Sequence, residues 1–285
     1  MRSSGGSTPA KPAHRHPRSN IEALHGGASA PCRYVCPYPV SPALVRILLV
    51  VSTVLMIVAW WQRDSLPPQA SLDRSLLSEP QQVTTEKAAF KTIVDGVEYT
   101  VRPLYAYDLY GLVVSKHDAD TWWDSIHKSW KDKLNVTDLC VIWGANARTD
   151  NYRDLDYSST QFECYARTHS TEVWKAFDVA ALSNNHLLTD DPGVARALKA
   201  VRVGDQVHFR GYLAEYSHDQ GFHFFRGTST TRTDQGAHAC ETVYATDAEI
   251  LRAGNRGWRT AFWAAMVAFF IGAVAWIRTP FRATP

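Results

Sequence analysis

No C-x-x-C pair lies between the two long apolar runs of this chain, which argues against a thiol–disulfide exchange enzyme. No small-x-small cleavage site follows the first run, which ends Ala59-Trp60-Trp61-Gln62, so it reads as an uncleaved anchor with tryptophan at the membrane interface. The loop carrying Asp150, Asp154 and Asp156 lacks the glycine turn and terminal Glu of a calcium loop and reads as solvated. A basic face is missing as well. Residues 62–259 hold 22 Lys and Arg against 27 Asp and Glu, which excludes a nucleic-acid partner.

What is present is two hydrophobic stretches, 44–61 (LVRILLVVSTVLMIVAWW) and 260–277 (TAFWAAMVAFFIGAVAWI). A helix of this length reaches about 27 Å, close to the thickness of a bilayer core. The tail before the first run carries five Lys or Arg against Glu22 alone, and the tail after the second adds Arg278 and Arg282. Basic flanks stay inside, so both tails are expected in the cytoplasm, although Arg252, Arg256 and Arg259 crowd the other side. The expected order is a disordered tail 1–42, a span 43–61, a linker 62–88, an extracytoplasmic β-rich domain 89–251, a span 258–277 and a tail 278–285. The composition of the first tail also fits translated upstream DNA of a GC-rich gene, with initiation then expected near Val40 or Val45. His14, His16, Cys32 and Cys36 in that tail lack a zinc framework.

Within the domain, alternating apolar residues predict a hairpin over 92–101 about Asp95-Gly96 and a strand over 104–114 with Gly111 as a bulge or close-packing point. Residues 121–134 (TWWDSIHKSWKDKL) place Trp122, Trp123, Ile126, Trp130 and Leu134 on one stripe, which predicts a helix packed on a sheet. Short strands follow at 139–143 and 162–166. Asp190-Asp191-Pro192 predicts the start of a helix running to about Val201. Strands are expected again at 206–216, 221–226 and 241–246, and a short helix over 247–256. Asn135-Val136-Thr137 matches a glycosylation acceptor.

The strands, the helix before the last of them and the V-x-V-G-D-x-V-x-F-x-G-x-L run predict an α+β chain. Its two transmembrane helices flank a small barrel of oligonucleotide/oligosaccharide-binding type with one or two packed helices. Three domain cysteines permit one bridge. Cys140 with Cys164, each in a short strand-like run, is the expected pair, against a reading in which all three are reduced and buried. The candidate binding residues are Asn184, Asn185 and His186, from the odd segment LSNNHLL, and Arg232, Asp234 and Glu241, from 228–241. Cys240 with nearby His238 has the chemistry of a thiol nucleophile, but no cysteine-hydrolase signature surrounds it. Nor do His218, His223 and His238 with Cys240 match a structural zinc spacing.

The segments LCVIWGAN, LSNNHLL, GDQVHFRGYLAEY and TSTTRTDQGAHACE resemble bacterial two-span membrane proteins with an extracytoplasmic β-rich domain and no assigned activity. The resemblance covers about 101–251 and implies architecture alone. A mitochondrial membrane ubiquitin-ligase family shares the two-span plan, but the RING that defines it does not follow the second span here. The expectation is therefore a bacterial inner-membrane protein whose periplasmic domain is a binding or assembly module. The lipid bilayer and a membrane or periplasmic protein are its partners, with no cofactor. The alternative is a thiol- or metal-dependent hydrolase using Cys240 and a nearby His.

Overall fold

A computed structural model describes residues 41–231 and 240–278. The chain enters α1 (Pro42–Gln62), makes tight helical turns at Gln69–Ser71 and Arg74–Leu77, and forms β1 (Gln81–Thr84), β2 (Phe90–Val94) and β3 (Val97–Asp118). One turn of helix, α2 (Ile126–Ser129), precedes β4 (Asn135–Ile142), and an excursion carries β5 (Asp156–Ser159), β6 (Cys164–Arg167) and α3 (Thr171–Ala176). Then come β7 (Leu182–Leu188), α4 (Pro192–Ala200), β8 (Gln206–His218), β9 (Phe224–Arg226), β10 (Cys240–Arg252) and α5 (Arg256–Arg278). The fold is α+β, with one eight-stranded sheet and a separate β5–β6 pair.

Both α1 and α5 are long and apolar enough to cross a membrane. They pack antiparallel: Trp60 meets Phe262 at one end and Arg46 lies 5.3 Å from the Trp276 ring at the other. The covered positions on α1 are Val45, Ser52 and Ala59, seven apart, and those on α5 are Ala265 and Gly272. Small residues at this spacing let two backbones approach. A Cβ on Gly272 would come within 2.9 Å of Leu49.

The Asp95-Gly96 turn takes positive φ at both residues (49° and 78°), the geometry that joins twisted strands tightly. β3 then runs on for 22 residues, pairing with β8 along its first part and with β4 along its last. β4 pairs with β7, β7 runs parallel to β10, and β10 pairs with β8, so the pairings return to β3. Both faces of β4 are covered. Leu139 and Val141 join an inner core with Leu109, Phe209, Leu213 and Val243, whereas Cys140 and Ile142 join an outer core with Leu76, Tyr152 and Phe177. α4, capped by Asp191 at the backbone of Gly193 and Val194, adds Leu198 to the inner core.

Four expectations are corrected. The 121–134 helix is a single turn, because Asp124 caps Ile126 and His127 and the backbone turns left-handed at Lys131 (φ 54°). Trp122 is 88% exposed there, while the polar Asp124 and His127 are buried. The expected helix over 247–256 is instead the end of β10. Its alternation places Ala248 and Ile250 against the inner core and Glu249 beside His208. The 62–88 linker is largely part of the domain: Leu76 is fully buried, Trp143 Nε1 donates to Glu79 at 2.8 Å, and β1 pairs with β3. Asn135 and Thr137 are buried, which rules out a glycan on Asn135 in the folded chain.

Candidate functional site

β7 lies between β4 and β10, so its side chains alternate between two closed faces. The two-residue period splits the predicted set. Asn184 stands in register with Cys140 and Cys240, and His186 with Asp138 and Thr242, all on the outer face. Asn185 and Glu241 face the inner side, where Ser183 donates to Glu241 and Asn185 Nδ2 donates to Ser183 Oγ at 2.9 Å. Arg232, Asp234 and His238 fall outside the described residues.

On the outer face the buried Asp138 and His186 form a row with the half-buried Arg226. His186 Nδ1 lies 2.7 Å from Asp138 Oδ1, and its Nε2 lies 2.7 Å from Arg226 Nη2. Arg226 has only N–H groups to offer, so Nε2 accepts and the ring carries its proton on Nδ1, toward the carboxylate. Burial pushes His186 below its ordinary value, Arg226 adds to this and Asp138 opposes it, which leaves a neutral imidazole. Burial alone would raise Asp138, but His186, Arg226 and Asn135 outweigh it and hold the carboxyl below the usual range.

The row continues inward. Asn135 Nδ2 donates to Asp138 Oδ1 at 2.9 Å and lies 3.1 Å from His127 Nε2. His127 Nδ1 reaches Asp124 Oδ2 at 2.6 Å, and His117 Nε2 reaches the same oxygen at 2.7 Å. Seven side chains drawn from β3, β4, β7, β9 and the α2 turn are thus joined in one largely buried polar chain. Four atoms along it have no hydrogen-bond partner among the described residues: Asp138 Oδ2, Asn135 Oδ1, Arg226 Nη1 and His186 Nδ1, whose 2.7 Å approach to Asp138 is a close polar contact without hydrogen-bond alignment.

Arg226 opens on a cleft of about 780 Å³, lined also by Trp130, Phe162, Phe224, Thr228 and Thr242. Phe162 covers the row. Its carbonyl accepts from Asn184 Nδ2 at 2.9 Å, and its ring lies 5.0 Å from Trp130 and 5.0 Å from the Arg226 guanidinium. A disulfide joins Cys140 to Cys164, two residues beyond Phe162, and fastens this loop to the sheet.

Cys240 Sγ donates to the Phe162 carbonyl at 3.3 Å. Burial, offset in part by Arg226, pushes its thiol up to about 11, so the thiolate is scarce at neutral pH. His218 is held by the Trp130 carbonyl and His223 by Asp219, so neither is poised as its base. Sequence reasoning missed Asp138, Arg226 and Phe162. One signal was there to read, an aspartate directly before the apolar LCVIW run. The chain matches no known protein family, no curated protein and no solved structure, so its function is argued from this geometry.

Proposed function

We propose that this protein is a membrane-anchored binding module whose domain is a barrel of oligonucleotide/oligosaccharide-binding type, taking an acidic oligosaccharide in the Arg226 cleft. The strand circuit β3–β4–β7–β10–β8, with one parallel pair and a helix between its third and fourth strands in chain order, supports the barrel. Barrels of this type bind ligands on the face of the second and third strands, between the loops after the first and the fourth. In this chain those strands are β4 and β7, and the loops supply Trp130 on one side and Phe224 to Thr228 on the other.

One observation carries the ligand class. The Arg226 guanidinium sits under aromatic rings and a rim of hydroxyls, with a buried Nη1 that has no hydrogen-bond partner among the described residues. A cation at the floor fits a carboxylate or phosphate, while the rings and Thr160 and Thr228 fit the faces and hydroxyls of a sugar. The acidic balance of the central segment speaks against nucleic acid. The disulfide supports an oxidising, extracytoplasmic compartment, which the basic tails also favour. A thiol hydrolase built on Cys240 is the weaker reading, given its raised thiol and the absence of a poised base among the described residues.

The test is binding of acidic and neutral oligosaccharides to the full chain in detergent micelles. Acidic ligands should bind more tightly, and Arg226→Gln should remove that preference while Trp130→Ala weakens both classes. If neither class binds the folded protein, or if Arg226→Gln keeps the preference, the reading is wrong.

A further inference from the structure

We propose that His117, Asp124 and His127 form a binding site for one divalent transition-metal ion of the zinc type. The site is separate from the Arg226 cleft. His117 Nε2 and His127 Nδ1 converge on Asp124 Oδ2 at 2.7 and 2.6 Å, and the three donor atoms lie within 4.8 Å of one another. All three residues are buried, at 3%, 0% and 1% exposure. Two imidazoles and a carboxylate are the donor set of many three-ligand zinc centres.

The surroundings fix where each donor points. Asp124 Oδ1 is occupied by the backbone N–H groups of Ile126 and His127, which leaves Oδ2 facing the imidazoles. The Trp123 ring lies 4.9 Å from His117 and restrains it. Metal bonds of about 2.0–2.2 Å put tetrahedral ligand atoms about 3.4 Å apart. Each imidazole therefore needs to swing outward by about 0.7 Å to make room for an ion in place of the shared protons. A cleft of about 320 Å³ is lined by His127 and Asn135, the side of the cluster nearest to solvent-sized space.

The residue behind His127 supplies an independent observation. An ion on His127 Nδ1 makes Nε2 the N–H donor, and that donor needs an acceptor. Asn135 lies 3.1 Å from Nε2, and its Oδ1 is buried with no hydrogen-bond partner among the described residues. Turning the Asn135 amide gives that oxygen the Nε2–H. The turn takes Nδ2 from Asp138 Oδ1, now 2.9 Å away, and brings the amide oxygen to that side, so the amide has to swing away from the carboxylate as it turns; Asp138 keeps His186 at 2.7 Å.

The experiment uses the full chain in detergent micelles, stripped with a chelator and titrated with Co²⁺. One equivalent should bind with visible d–d absorption and be displaced by Zn²⁺. His117→Ala and His127→Ala should each weaken binding at least about tenfold, and Asn135→Leu by about 10- to 100-fold. A variant that loses its circular-dichroism signal is set aside in favour of a measurement on the wild type. There, ¹⁵N spectra of His127 should move from the Nδ1–H to the Nε2–H tautomer on adding Zn²⁺. Folded wild type that takes up no ion at micromolar concentration would overturn the proposal, as would an ion bound equally by the histidine variants or an unchanged His127 tautomer. Oligosaccharide binding is read on different variants, so the failure of either proposal leaves the other standing.

Discussion

At the scale of single residues, the sign of the acid response follows from His186. Asp138, Arg226 and His127 are the ionisable groups that bear on it. The unfolded imidazole takes up a proton as the pH falls through 6.5, its ordinary value, and the buried one does not. Stability present above that pH is therefore lost as the pH falls. Asp138, also depressed, adds a further loss below 3.8. The melting temperature of the wild type should drop between about pH 7 and pH 5, and His186→Asn should flatten that slope whatever its own stability. A slope shared equally by both proteins would mean that other histidines carry it. The same residues show what sequence could and could not reveal. His186 and Asn184 stand out because polar groups are bracketed by leucines. The partners of His186, Asp138 and Arg226, lie 48 and 40 positions away from it, and strand pairing across the sheet brings them together.

At the scale of elements, legibility depended on whether a local rule decided the outcome. The Asp95-Gly96 turn, the Asp191 cap and the Gly204 turn (φ 84°) are local, and the chain states them openly. The 121–134 segment failed because its apolar stripe is genuine as a pattern, yet the energy lies in Asp124 and its two histidines. β10 outran its expected end because Glu249, which looks like a helix surface residue, meets His208 across the sheet at 3.1 Å. Gly211 tests how tightly β8 and β10 are joined. A Cβ there would lie 2.0 Å from the Tyr244 carbonyl oxygen, so the strands have to part. Gly211→Ala should cost about 1–3 kcal/mol in denaturant unfolding, as overpacking does. Gly257→Ala, with nothing within 4 Å, should cost nothing measurable. Equal effects would show that the close approach is not what holds the sheet.

At the scale of the whole molecule, the domain and the paired helices meet at a hydrogen-bonded joint. Asp205, buried, accepts from Gly254 N at 2.8 Å and from Arg259 at 3.2 Å, and Arg259 also reaches the Val203 carbonyl at 2.7 Å. Asn255 donates to the Ser65 carbonyl, which ties the exit from the first helix to the entry of the second. The proposed orientation rests on the charge balance, which favours both tails on the cytoplasmic side. A phosphatase fused after Ser65 should be active and one fused after Arg278 inactive; the reverse result would invert the orientation. The position of β10 adds a consequence for biogenesis. The last strand before the second helix is not an edge strand but sits between β7 and β8, where it completes the circuit. A nascent chain that has emerged only as far as β9 cannot finish its sheet. The sheet stays open along that seam until the ribosome has delivered the segment that leads directly into α5. In the proposed topology, closure of the domain therefore cannot precede synthesis of the second apolar helix's leading strand.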